Sequence, residues 1–278
     1  MAIANNKNNT ASISKLINIE LSIQISLSGL SFCTLNRDNN SISNLKEIKF
    51  KKQLNPLEVL EKLKHCFDTE AILQNKFEAI NIIHDNELST LVPKSIFNEG
   101  AIADYLKFNS KILKSDFITF DTIDSNQSVN VYIPYVNVNN YIYDLFGDFT
   151  YKHASTVLIE TILESEKESG NSQFYAHINH NRFEIVITNK GELQFYNSFE
   201  YTTKEDFIYY ILFTAEQLKL DPETLNLILI GDINKDDALY NIAYKYIRNV
   251  SLGNQKNNYV FNEEPETQYS NFTLINSF

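Results

Sequence analysis

The 278-residue chain is 43% hydrophobic and 13% aromatic, which is enough apolar material for two packed cores of ordinary domain size. Its formal charge of −11 repels phosphate backbones and argues against direct nucleic-acid binding. Cys33 and Cys66 lie in apolar runs without CxxC spacing and read as reduced core residues, and no run reaches the roughly 18 apolar residues of a membrane helix, so the chain reads as cytoplasmic.

Residues 1–14 are polar and Asn-rich with no hydrophobic signal stretch, and read as a disordered leader. From Ile19 to Leu27 every second residue is apolar, the period of a half-buried strand. Ser28 and Gly29 supply a turn, Leu30 to Leu35 a second strand, Arg37 to Ser41 another turn, and Leu45 to Phe50 a third strand, giving a meander. Lys46, Lys49, Lys51 and Lys52 alternate with Ile48 and Phe50, as in an exposed strand that guards its edge against aggregation. Asn55, Pro56 and Glu58 form a capping box ahead of a helix striped by Leu57, Leu60, Leu63 and Phe67. A strand at Phe77 to Ile83, a turn at Asp85 and Asn86, a short strand ending at Val92 and a short helix near Glu99 to Leu106 follow. Strands at Phe117 to Phe120 and Val129 to Ile133, a helix striped by Val138, Tyr141, Ile142, Leu145 and Phe146, a strand near Phe149 to His153 and a helix from about Thr156 complete the first half.

The second half repeats this order. Strands are predicted near Phe174 to Ile178, Phe183 to Ile187 and Leu193 to Tyr196, then a helix opened by Thr202 and Glu205 and striped by Phe207, Ile208, Ile211, Leu212, Ala215 and Leu218. A buried strand at Leu225 to Ile230 leads to a last helix, capped by Asn234 and striped by Ala238, Leu239, Ile242, Ala243, Tyr246 and Ile247. The pattern predicts an α/β protein of two duplicated β-β-β-α-β-α lobes, residues 15–168 and 169–278.

Polar constellations have plain local readings. His177 and His180 near Arg182 read as a polar hairpin turn without a third metal ligand. Asp232, Asn234 and Asp236 match the start of a calcium loop, but Asp237 replaces its glycine and Ala243 its bidentate glutamate, which leaves helix capping. His84-Asp85 reads as a strand-end turn, and Asp121 and Asp124 as turn residues without chemistry. The sequence thus offers no metal site and no catalytic residue.

The wording of Leu21-Ser-Ile-Gln-Ile-Ser-Leu-Ser-Gly-Leu-Ser-Phe-Cys33, of Leu91-Val-Pro93 and of Tyr105-Leu-Lys-Phe-Asn109 resembles an uncharacterised family of Bacteroidetes proteins with an actin-like fold, from about residue 15 to 250. The resemblance implies a bacterial protein with two RNase H-like lobes of the actin-like ATPase superfamily. In that superfamily the first turn of each meander cradles ATP phosphates behind an Asp that orders the Mg²⁺ water shell, and a glycine pair after a buried strand of lobe two packs against adenosine. The corresponding nucleotide-cleft candidates here are Ser26, Ser28, Gly29, Ser31, His177, Asn179, Gly231 and Asp232. Ser26 stands where the Asp is expected, the second turn has neither Asp nor Gly, and one glycine of the pair survives.

Independently of the resemblance, the chain has only seven glycines, too sparse for a phosphate-cradling GxGxxG or P-loop. The expectation is a non-catalytic, pseudo-ATPase scaffold with ATP and Mg²⁺ disfavoured as cofactors. The alternative is a diverged actin-like ATP-binding protein or ATPase. The implied partner is a protein, with an RNA-modifying enzyme as one class that the resemblance suggests.

Overall fold

The computed structural model describes residues 18–253, 259–262 and 270–278, so the leader expected at 1–14 lies outside them. Strands β1 (Ile19–Ile25), β2 (Gly29–Asn36) and β3 (Ser41–Lys49) form the first antiparallel meander. β3 starts four residues before its predicted position, because Asn44 takes a positive φ of 54° opposite a register shift, and such a bulge breaks the alternation. Ile42 and Ile48, six residues apart, consequently pack on different clusters.

Helix α1 (Pro56–Thr69) begins as predicted: the Asn55 side chain accepts from the Leu57 and Glu58 amides while Glu58 returns a bond to the Asn55 amide. β4 (Ala79–His84) then runs parallel to β1. An insert follows, in which β5 (Ser89–Pro93), α2 (Ile102–Lys107), β6 (Thr119–Ile123) and β7 (Ser128–Tyr132) make a separate sheet of order β5-β7-β6. The chain returns through α3 (Val136–Phe146) and β8 (Thr150–His153) to α4 (Ala154–Glu166).

The second meander comprises β9 (Ser172–Ile178), β10 (Arg182–Asn189) and β11 (Glu192–Glu200). After it come α5 (Lys204–Gln217), β12 (Asn226–Gly231), α6 (Ala238–Tyr246) and β13 (Asn249–Leu252). Two caps shift from their predicted places: Thr203, not Thr202, caps α5 in a box with Asp206, and Asp237, not Asn234, stands at the start of α6. In both cases the neighbour is drawn in as a donor, Thr202 to Asp206 and the Asn234 amide to Asp237.

The sheets have orders β14-β3-β2-β1-β4-β8 and β11-β10-β9-β12-β13, where β14 is the two-residue strand Val260–Phe261. Without β14 the second order repeats the first strand for strand. On the outer face of the first sheet, Leu21, Ile23, Ile25, Ile80 and Ile82 pack against Val59, Leu63, Val138 and Ile142 of α1 and α3. On the second, Phe174, Ala176, Phe183, Ile185, Leu227 and Leu229 pack against Phe207, Ile211 and Ala243 of α5 and α6.

Between the sheets lie two helices that cross over. α4, which follows the first sheet, lays Leu158 and Ile162 on the inner face of the second against Tyr175, Val186 and Ile230. The short α7 (Phe272–Ile275), at the chain's end, lays Leu274 on Cys33, Leu35 and Ile42 of the first. Residues 169–278 were expected to form one lobe, but β14 pairs with β3 and α7 packs on β1 and β2, so the end of the chain belongs with the first sheet. These two elements span two and four residues, too short for a periodic signal.

Two histidines are buried neutral where β4 and β8 end side by side. His84 Nδ1 accepts from the Tyr135 amide and its Nε2 bonds Asn139 at 2.9 Å. His153 caps α4, its Nδ1 accepting from the Ser155 amide at 3.1 Å while Nε2 faces the Asn86 carbonyl at 3.1 Å. Burial pushes their pKa values down to about 3 and about 4. Below the ordinary value of 6.5 the unfolded chain therefore takes up protons that the folded state refuses, so this stability is complete above that pH and lost as pH falls. Between about pH 6 and pH 5 the two sites together should cost up to about 2 to 3 kcal/mol per pH unit. Chemical denaturation as a function of pH measures the slope, which His153→Gln should roughly halve; an unchanged slope would contradict the assignment.

Candidate functional site

Seven of the eight residues singled out in the sequence come together. Ser26, Gly29, Ser31, His177, Asn179, Gly231 and Asp232 line one cavity between the two sheets, together with Gln24, Lys49, Asp85 and His180. Ser28 stands beside it, its hydroxyl 3.1 Å from that of Ser26. The cavity is small, about 80 Å³, against the roughly 300 Å³ or more of a ligand pocket.

The first turn explains part of this. Its amides point at their own chain: Ser26 Oγ accepts from the Gly29 amide at 2.9 Å and the Ser28 amide at 3.2 Å. The Ser26 amide donates in turn to the Gly29 carbonyl at 3.0 Å. Donors that would cradle a phosphate are thus consumed by the residue standing where a magnesium-ordering Asp is expected. Gly29 is required by packing, since a Cβ there would lie 2.9 Å from the Ile48 carbonyl oxygen on β3.

The second turn is closed as well. Asn179 donates through its amide to the Arg182 carbonyl at 2.8 Å, and Tyr201 Oη donates to the Asn179 carbonyl at 3.0 Å. His177 is not in this turn, as the sequence suggested, but buried near the end of β9, where Nδ1 meets Glu184 Oε2 at 2.9 Å. Tyr196 Oη donates to the other Glu184 oxygen at 2.8 Å. Burial raises the Glu184 carboxyl, but the His177 hydrogen bond and the Arg182 charge outweigh it and hold the group at about 2.

Gly231 has a φ of +91°, and a Cβ there would overlap the Ile178 carbonyl oxygen. The Asp232 amide donates to that same carbonyl at 2.8 Å. The glycine therefore serves the β9–β12 junction, whose close backbone approach excludes any side chain.

Three contacts seal the space between the lobes, and the sequence signalled none of them. Asp85, read as a strand-end turn residue, is buried and accepts a charge-assisted bond from the Arg182 guanidinium across the seam. Burial works against the Arg182 charge, yet Asp85 and Glu184 outweigh it and raise its pKa. Lys49 Nζ lies 3.7 Å from Asp232 and 3.3 Å from Glu47, so one of the lysines taken as an edge guard faces the cleft. From the chain's end, Thr273 Oγ1 donates to Gln24 Oε1 at 2.6 Å, while Gln24 Nε2 donates to Asp85 at 3.2 Å. Asn271, Phe272 and Thr273 line the same cavity, with the Phe272 ring 5.9 Å from that of His177. Asp121, also read as a turn residue, is a half-buried acceptor for the His153 amide at 2.9 Å, Thr156 Oγ1 at 2.7 Å and Tyr132 Oη at 3.0 Å, fixing the insert to α4.

Among the described residues, the space beside the first turn is thus narrow, while a larger cavity of about 680 Å³ opens farther along, lined by α4, Tyr175, Ile230, Gly253 and Phe272. Comparison with known proteins agrees on the frame. A protein from Bacteroides thetaiotaomicron VPI-5482, described as having an actin-like ATPase fold and unknown function, is 24% identical with a TM-score of 0.75 over 84% of this chain and 90% of that one. A structure from the PilM-PilN type IV pilus biogenesis complex is 12% identical with a TM-score of 0.55 over 84% and 88%. No curated protein matches. The profile of the family described as "Protein of unknown function (DUF3822)" matches residues 8–250, and the chain belongs to that family, on an actin-like ATPase fold.

Proposed function

We propose that the protein is a non-catalytic scaffold, a pseudo-ATPase, whose two lobes are locked together and whose surface binds a protein partner. The single observation that carries this reading is the closed cleft. The Ser28 and Gly29 amides of the first turn are satisfied by Ser26, the lobes are bridged by Asp85 and Arg182, and Asn271, Phe272 and Thr273 help narrow the cavity beside that turn to about 80 Å³. Transfer of a phosphoryl group needs a cation held by hard oxygens and room for the nucleotide, and this reading is supported by the narrow space at the first turn, where Ser26 stands in place of a carboxylate.

A protein partner is supported by the face that α5 and α6 turn outward. A groove of about 650 Å³ runs between them, lined by Ile208, Tyr209, Leu212, Ile242 and Tyr246. Tyr209 stacks on Phe213 and Tyr240 on Tyr244, and Tyr209, Tyr244 and Tyr246 are exposed. Tyrosine is the residue type enriched at protein interfaces and their hot spots. The PilM-PilN neighbour, with the same fold, was solved as a complex between proteins. The second reading, a diverged ATP-binding protein, draws on the convergence of the candidate residues around one cleft.

A thermal melt with and without millimolar Mg-ATP separates the two, because a ligand that binds only the folded state raises its stability in proportion to ln(1 + [L]/Kd). The expected result is no shift, and a rise of several degrees would favour the second reading. The lock itself is tested by Asp85→Ala, which leaves the Arg182 guanidinium buried without its partner and should destabilise the protein by about 3 to 5 kcal/mol in urea denaturation. A loss below about 1 kcal/mol would mean that the seam behaves as an exposed pair.

A further inference from the structure

The insert carries a basic and apolar segment that neither the cleft nor the α5–α6 face uses. Between α2 and β6 the chain reads Lys107-Phe-Asn-Ser-Lys-Ile-Leu-Lys-Ser-Asp-Phe117, three lysines to one aspartate in a protein of net charge −11. Its own packing needs are met by other residues, since Leu106 is fully buried and Ile112 and Ile118 pack on the same small core. Phe108 is left 88% exposed, Leu113 68% and Phe117 53%. Ile96, at 65%, lies alongside, because its carbonyl accepts from Tyr105 Oη on α2 at 2.9 Å.

Two acids beside the segment are engaged, while Glu99, three residues from Ile96, is exposed. Asp104 pairs with Lys107 at 2.7 Å, and Asp116 accepts from the Leu113 amide at 2.7 Å. Lys111 and Lys114 have no ion-pair partner among the described residues.

We infer that this segment, with Ile96, is a docking surface for an anionic lipid membrane, on which Phe108, Leu113 and Phe117 enter the headgroup boundary while the lysines meet lipid phosphates. Two features select a membrane over a protein. Lysine is depleted in protein interfaces, which favour Tyr, Trp and Arg, whereas lysine beside large apolar side chains suits a lipid surface, where the ammonium stays wet while its stem lies on hydrocarbon. Single phenylalanine and leucine side chains also need no complementary pocket in a fluid bilayer. The net charge of −11 does not prevent this, since charges beyond about 8 Å are screened at physiological ionic strength and the segment is locally positive. No helix among the described residues is long and apolar enough to cross a membrane, so the contact would lie on the surface.

The test is co-sedimentation of the full chain with phosphatidylcholine vesicles, with and without phosphatidylglycerol. Binding is expected to the anionic vesicles only, weakening as salt is raised. The pair Lys111→Ala and Lys114→Ala should lower partitioning by roughly thirtyfold, and Phe108→Ser with Leu113→Ser should abolish it. All four positions are exposed, so the variants should melt like the parent protein. A parent protein that stays in the supernatant with anionic vesicles, or binding that survives Phe108→Ser with Leu113→Ser, would overturn the inference. So would displacement from vesicles by polyglutamate equally in the parent and in the lysine variant.

Discussion

The structure turns on a buried charge chain across the seam between its lobes. Arg182 opens β10 in the second lobe and reaches Asp85 at the end of β4 in the first, while Glu184, two residues on, holds His177 and Tyr196. Charges taken this far out of water are costly alone and tolerable only as a mutually satisfied set. The Asp85–Arg182 contact therefore depends on both lobes keeping their positions, while Glu184, His177 and Tyr196 set its second-lobe side. Gln24 extends the chain to Thr273, so α7 is tied to the same network. One loose atom remains: Arg182 Nε is buried without a hydrogen-bond partner among the described residues.

The outer halves of both lobes were legible in the sequence, because their strands and helices present one apolar face to a core and a polar face to water. Alternation located the meanders, and the Asn55, Pro56 and Glu58 box located α1 to the residue. The inner faces were not legible. His177 was read in the hairpin turn and Tyr175 and Glu184 carried no signal of burial, yet all three are buried, because a strand buried on both faces carries no period that announces which polar residues are inside. Asp85 and Arg182 are separated by 97 positions, and neither has a local pattern that points to the other. The candidate positions Ser26, Gly29, Asn179 and Gly231 were placed in one cleft by the family resemblance. Their chemistry there, with amides turned inward and a glycine required by strand packing, became visible only from the backbone geometry.

A locked, closed cleft changes what an actin-like frame is good for. A nucleotide-driven machine needs lobes that open and close around a ligand, with the ligand supplying differential binding energy to the two states. On the proposed reading, the ion pair, the lysine bridge and residues 271–273 stand where such a ligand would act, and the frame would serve as a rigid support for surfaces. Two of these are unlike each other in chemistry: the tyrosine-lined groove on α5 and α6, and the lysine and phenylalanine segment on the insert.

The most direct test of the closed cleft is hydrogen–deuterium exchange of the full chain with and without Mg-ATP, read at the Ser28 and Gly29 amides and over residues 270–278. The account predicts that both regions are protected and that nucleotide leaves their exchange unchanged. Faster exchange over residues 270–278 together with slower exchange at Ser28 and Gly29 on adding ATP would contradict it, since nucleotide would then be displacing the end of the chain and taking the amides that Ser26 holds.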